Sequence, residues 1–204
     1  MNMTVNNSGA SSLVQIPQGP IDVHTFLQLV LAQKVRLMDG QLEVQVKAMQ
    51  DRNQQLAKLN DVLAKLTAFQ GAISGTDPGS KPKDWDVEKQ KRLEIPLNDA
   101  IREAGIGDLG FTGRGQVTPR PGEAADGPAG GHMTDGVANS GTTKGQVDAA
   151  LAKIKGLIDG ESNNQQMDMI RMQSLNNKKN EALDMQTSSV KKYSDVSSNI
   201  IRNY

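Results

Sequence analysis

Residues 35–66 read VRLMDGQLEVQVKAMQDRNQQLAKLNDVLAKL. Every seventh residue of this run is apolar: Val35, Leu42, Met49, Leu56 and Leu63. A second column, three positions later, holds Met38, Gln45, Arg52, Leu59 and Leu66, so polar residues interrupt it in the middle. A repeat of seven marks a helix wound against other helices, because about 3.5 residues per turn keeps one seam toward the partner. Water cannot satisfy such a seam, and its partner lies either in the same chain or in another copy.

Toward the N-terminus the helix has a well-specified start. Asp22 is placed to cap it, and Ile21 with Phe26 is spaced as a hydrophobic staple. From Phe26 to Leu31 the helix is apolar on nearly all sides, and the pattern then runs to about Gln70, where Gly71, Gly75 and Pro78 end it. About 48 residues of helix reach roughly 70 Å, with Gly40 as the weak point. Residues 1–21 have no apolar periodicity and read as a flexible leader; they carry neither the basic region nor the apolar run of a signal peptide.

The segment 71–142 is rich in glycine and proline, and the heptad is gone. Short helices are expected from Asp84 to Leu93, around Trp85, and from Pro96 to Ala104. The run from Gly105 to Gly141 is expected to be an exposed, loosely structured surface segment. A second long helical region, 143–204, opens on a capping box formed by Thr143 and Gln146. Val147, Leu151, Ile154 and Ile158 make its first turns amphipathic, Gly156 and Gly160 threaten to divide it, and Met172 and Leu175 continue it. Beyond Asn176 the apolar residues thin to a narrow stripe of Leu183, Met185, Val190, Tyr193, Val196, Ile200 and Ile201. The expected fold class is all-α, built on long helices with a Gly/Pro-rich, partly helical middle insert.

Composition agrees with an elongated or polymeric protein. Only 36% of the 204 residues are hydrophobic and 3% aromatic, thin material for a globular core. The 23 basic and 23 acidic residues balance, which removes the electrostatic footprint of a nucleic-acid binder and weakens self-repulsion. There is no cysteine, hence no disulfide framework or thiolate chemistry. The apolar cluster from Phe26 to Leu31 is far shorter than the roughly 20 residues of a membrane span.

No catalytic constellation emerges. Gly105-Ile-Gly-Asp-Leu-Gly110 matches GxGxxG, but it follows a helix instead of a strand. Ser140-Gly-Thr-Thr-Lys-Gly145 lacks the Gly-Lys-Ser/Thr order of a phosphate loop. His24 and His132 stand apart from other ligand-type residues, and Asp84, Asp86 and Glu88 suit the start of a short helix. Met167, Met169, Met172 and Met185 are expected to pack against the first helix, with an adaptable binding surface as the alternative. No cofactor or metal is expected, and the chain is not expected to be an enzyme.

In order and character the layout resembles the EspA/SseB-like filament and hydrophilic translocator family of bacterial type III secretion systems. The resemblance is carried by TFLQLVLAQKVRLMDGQLEVQ (25–45), IPLNDAIREAGIGDLG (95–110), GQVDAALAKIKGLIDGESNNQQMDMIRMQSLNNKK (145–179) and SSNIIRNY (197–204). It implies a long antiparallel coiled-coil hairpin that stacks into a hollow helical filament extending the secretion needle, secreted to the bacterial surface. Within the hairpin, Val35, Met38, Leu42, Met49, Leu56, Leu59, Leu63 and Leu66 would meet Leu151, Ile154, Ile158, Met172 and Leu175. Phe26, Leu29, Val30, Leu183, Val190, Tyr193, Val196, Ile200 and Ile201 would serve self-assembly. The implied partners are further copies of the chain, the needle subunit, pore-forming translocators and a cytoplasmic chaperone, with neither nucleic acid nor a membrane span. Alternatives are a non-polymerising needle-tip platform and an injected coiled-coil effector or adaptor.

Overall fold

A computed structural model describes residues 22–203; the leader, Ile21 of the staple and Tyr204 lie outside the described residues. The described residues are mostly helical, 69%, with a long helix pair packing together. Helix α1 spans Val23–Gly71, α2 Val87–Lys89, α3 Ile95–Glu103 and α4 Lys144–Arg202, and two strands, β1 Gly113–Val117 and β2 His132–Val137, lie between α3 and α4. Asp22 caps α1: its carboxylate accepts the Thr25 amide at 2.9 Å and the Thr25 hydroxyl at 2.7 Å. The Thr25 hydroxyl, and then its amide, hold the Asp22 carboxyl below its ordinary range. At the start of α4, Thr143 and Gln146 form the reciprocal cap, with the Thr143 amide donating to Gln146 Oε1 at 2.9 Å.

The chain divides into two compact units, Ala48–Met167 and a second made of Met1–Lys47 with Asp168–Tyr204. In the first, α1 and α4 run antiparallel, as the pairs Arg52–Glu161 at 2.6 Å and Gln70–Asp148 at 2.5 Å require. Leu59 and Leu66 of α1 are buried with Val147 and Ile154 of α4 on the heptad seam. A second column of α1, Val62 and Phe69, is also fully buried and carries the core sideways into Leu97, Ala100, Leu109 and Phe111 of the insert. The Phe69 ring lies 5.2 Å from that of Trp85, tilted by 60°.

The insert is the main correction to an all-α reading. β1 and β2 pair antiparallel, with an irregularity between Gly113 and Arg114. The stretch expected to be loosely structured therefore folds, and the reason is polar clasping in place of apolar periodicity. Asn98, 1% exposed, donates from Nδ2 to the carbonyls of Gln116 at 2.9 Å and Ala138 at 3.0 Å, and its Oδ1 accepts the Ala138 amide at 3.0 Å. Gln116 in turn holds the 127–131 loop: its Oε1 accepts the amides of Ala129 at 3.0 Å and Gly131 at 3.3 Å. A Cβ at Gly127 would run into the Gln116 side chain, so this glycine permits a close approach that no other residue allows.

Two expected short helices join into one helical stretch. Pro96 supplies no amide, and the turn before it widens into a π-helical turn, Gln90–Glu94, in which the Ile95 amide reaches back to the Gln90 carbonyl. Glu94, 3% exposed, sits in that turn and accepts Trp85 Nε1–H at 2.9 Å and the Gln116 amide at 2.8 Å. Burial pushes its carboxyl pKa above the ordinary value, and the bonds from Trp85 and Gln116 only partly oppose this. The fold thus binds the Glu94 proton more tightly than the unfolded chain does. This stabilising component is complete below the unfolded pKa and is lost as pH rises through the folded one. Urea titrations from about pH 4 to pH 7 are expected to show this falling component in the native chain and not in Glu94→Gln.

Gly156 and Gly160 do not divide α4, which is continuous. Both are exposed, with open space where a Cβ would stand, while Ile154, two residues before Gly156, is fully buried and holds the helix in place. Gly156→Ala and Gly160→Ala are each expected to raise stability by about 0.5–1 kcal/mol. A shift in the urea midpoint at unchanged slope would register it.

Candidate assembly surface

The second unit is described over residues 22–47 of the N-terminal side and 168–203 of the C-terminal side. Here too the helices run antiparallel: Lys179 Nζ meets Asp39 Oδ1 at 2.6 Å, and the rings of His24 and Tyr193 stack with centroids 4.1 Å apart. The heptad of α1 persists back to its first turn through Val35, Leu31, Gln28 and His24, all partly or fully buried. On α4 the same spacing falls on Asp168, Met172, Leu175, Lys179, Ala182, Gln186 and Ser189.

This seam is polar where that of the first unit is apolar. Among the described apolar residues of the unit, only Leu31 and Ala182 are fully buried. Polar contacts cross it at Lys179–Asp39 and at Ser189 Oγ, 3.4 Å from His24 Nδ1, while within α1 Gln28 Nε2 lies 2.9 Å from His24 Nε2. Asp168, 4% exposed, faces Arg171 at 3.6 Å. Buried polar contacts fix register at a cost in stability.

The residues singled out from the sequence are distributed as follows. Val35, Met38, Leu42, Met172 and Leu175 lie half-buried on the seam of this unit. Met49, Leu56, Leu63, Leu151 and Ile158 are half-buried in the first unit, where Leu59, Leu66 and Ile154 are fully buried. Leu29 is half-buried, while Phe26, Val30, Leu183, Val190, Tyr193, Val196, Ile200 and Ile201 are exposed, Ile201 at 77%. Of the four methionines expected to pack inward, only Met172 does. Met167, Met169 and Met185 are exposed, because the helix turns polar residues toward its partner at these levels.

Sequence reasoning missed two sets. The seam residues His24, Gln28, Lys179, Gln186 and Ser189 were hidden by their polarity, although their spacing of three and four was legible. Val23, Leu27, Leu37 and Val44 are exposed apolar residues of α1, and the sevenfold spacing of Val23, Val30, Leu37 and Val44 was the available signal.

The remaining polar candidates have structural partners. Asp86 caps α2 by accepting the Lys89 amide at 2.7 Å, and His132 Nδ1 lies 3.4 Å from Asp126 Oδ1. The 105–110 glycines follow α3 and lead toward β1, without a helix after them. A hollow of about 370 Å³ in the first unit is lined by Ile101, Phe111 and Val117 with Arg102, Arg120 and His132. Among the described residues, no group of three or more His, Asp or Glu is arranged to hold a metal ion, and no helix is long and apolar enough to cross a membrane. Comparison with family models, curated proteins and solved structures finds no match, so the functional reading stands on the residues and their placement.

Proposed function

We propose that this chain is a self-assembling structural subunit of an extracellular type III secretion filament. In this reading it polymerises into a hollow needle extension that conducts secreted proteins toward the host membrane. The observation that carries the self-assembly is the second unit's imbalance. Its internal seam buries little apolar surface, while Phe26, Val30, Val190, Val196, Ile200 and Ile201 stand uncovered. An exposed set of this size marks a surface that meets another protein. The assignment to a secretion filament is supported by the family resemblance of the two long helices, with the needle subunit, pore-forming translocators and a cytoplasmic chaperone as further partners.

Ile200 is exposed near the end of α4, and Ile200→Asp is expected to lower the yield of pelletable polymer by about tenfold or more, the equivalent of at least 1.4 kcal/mol per contact. Circular dichroism should show unchanged helicity. Antibody labelling of intact bacteria is expected to find the protein on the cell surface in extended structures. Its confinement to host cytosol would contradict the filament assignment and point to an injected adaptor.

A further inference from the structure

The heptad assigns the uncovered residues to particular edges. With Gln28, Val35 and Leu42 at position a and His24, Leu31 and Met38 at d, Val23, Val30, Leu37 and Val44 occupy c, and Leu27 occupies the neighbouring g. All five are exposed, from 42% for Leu27 to 83% for Val23. On α4, Met172, Lys179, Gln186 and Tyr193 take a, and Leu175, Ala182 and Ser189 take d. Its longest exposed apolar column falls on the other flank, with Met169, Leu183 and Val190 at e and Ile201 at the adjoining b, while Met185 at g and Ile170 at f stand outside it.

In an antiparallel pair, g lies beside g and e beside e. The structure obeys this, since Val23 and Leu27 of α1 share a hollow of about 570 Å³ with Met185 and Lys192, both g positions of α4. The apolar column of α1 and that of α4 therefore lie on opposite edges of the helix pair. The edges also differ in charge. On the g side Lys34, Arg171, Lys178, Lys192 and Arg202 outnumber Glu181 and Asp195, whereas on the e side Asp22, Glu43 and Asp39, the last paired with Lys179 of the seam, outnumber Arg36. In the first unit the g column of α1 is covered, by the insert packed on Val62 and Phe69; no such cover lies on Val23 to Val44 among the described residues.

We propose that the g edge of one copy, centred on Leu37 and Val44, receives the e edge of the next, centred on Leu183 and Val190. The proposal rests on the self-assembly reading and deepens it. The two edges match in heptad repeat and in apolar character and are opposite in the sign of their charge, and one chain carries both. Pairing two g edges would instead set Arg171, Lys178 and Lys192 against basic counterparts, which disfavours a closed two-fold dimer. A contact between two different edges is heterologous and repeats without limit unless its rotation closes. Each copy thus adds laterally to the last, leaving one edge of each kind at the two ends.

Complementation tests this. The variants Leu37→Asp/Val44→Asp and Leu183→Asp/Val190→Asp each remove one edge without touching the seam, with Asn177→Asp on the outward face as control. In sedimentation velocity, each edge variant alone is expected to lose polymer by about tenfold or more, and the control is expected to lose none. An equimolar mixture of the two is expected to form a discrete heterodimer, because one intact g edge and one intact e edge remain. Polymer persisting in either variant overturns the proposal. So does a mixture that stays monomeric while the unsubstituted chain polymerises. An unsubstituted chain that does not polymerise contradicts the self-assembly reading itself. If circular dichroism shows lost helicity, the serine versions of the same four substitutions carry the comparison.

Discussion

Phe69→Ala is expected to destabilise the Ala48–Met167 unit by about 3–5 kcal/mol, the range for removing a fully buried aromatic side chain. Phe69 has no exposure and sits where three groups meet: the seam of α1, Trp85, and the apolar residues of the insert. Its loss opens a cavity that helices bonded along their own backbones cannot close by shifting a turn. Trp85 loses an aromatic neighbour while remaining tied to Glu94 through its indole N–H, so it cannot move in to fill the space. Urea denaturation followed by Trp85 fluorescence measures the cost, and a change under about 1 kcal/mol would mean that the insert does not pack on α1 as described.

Asn98→Ala is expected to be of similar size, about 3–5 kcal/mol, for a different reason. The substitution removes little apolar contact but strands three buried groups, the carbonyls of Gln116 and Ala138 and the amide of Ala138. Each unpaired buried group costs about 1–3 kcal/mol. The damage is local: β1 and β2 lose their buried tie to α3 and keep only the more exposed bonds of Asp99 and Arg102 to Thr118, so limited proteolysis is expected to cut first between Gly105 and Gly141, with the long helices still folded. Asn98→Asp tests the same point more severely, because its second oxygen would face the two carbonyls that the amide nitrogen now serves. An Asn98→Ala protein as protease-resistant as the native chain would contradict this role.

The long helices were legible because a repeat of seven survives as a one-dimensional signal. Caps at Asp22 and Thr143 set their starts, and the column from Val35 to Leu63 displayed the seam. The insert was not legible, since its order depends on Asn98, Glu94 and Gln116 reaching backbone groups up to 40 residues away. No periodicity announces such contacts, and the glycines that permit them read as flexibility. The surface of the second unit was half legible. Its exposed residues at Phe26, Val30 and the end of α4 were visible as apolar letters. Which helix flank each occupied required knowing that Gln28, Lys179 and Gln186 are seam positions, because polar seam residues disguise the phase of the heptad.

That division gives the two units different tasks. One spends its aromatic residues on an internal core and can fold on α1, α4 and the insert together. The other buries almost nothing apolar within itself, and its register is held by His24, Tyr193, Asp39 and Lys179. Such a helix pair gains most of its available apolar burial only by meeting a neighbour.

Electron microscopy of the purified chain, paired with sedimentation across a range of concentrations, addresses self-assembly most directly. Open polymers that lengthen with concentration are the predicted result; a stable, compact monomer at high concentration would contradict it.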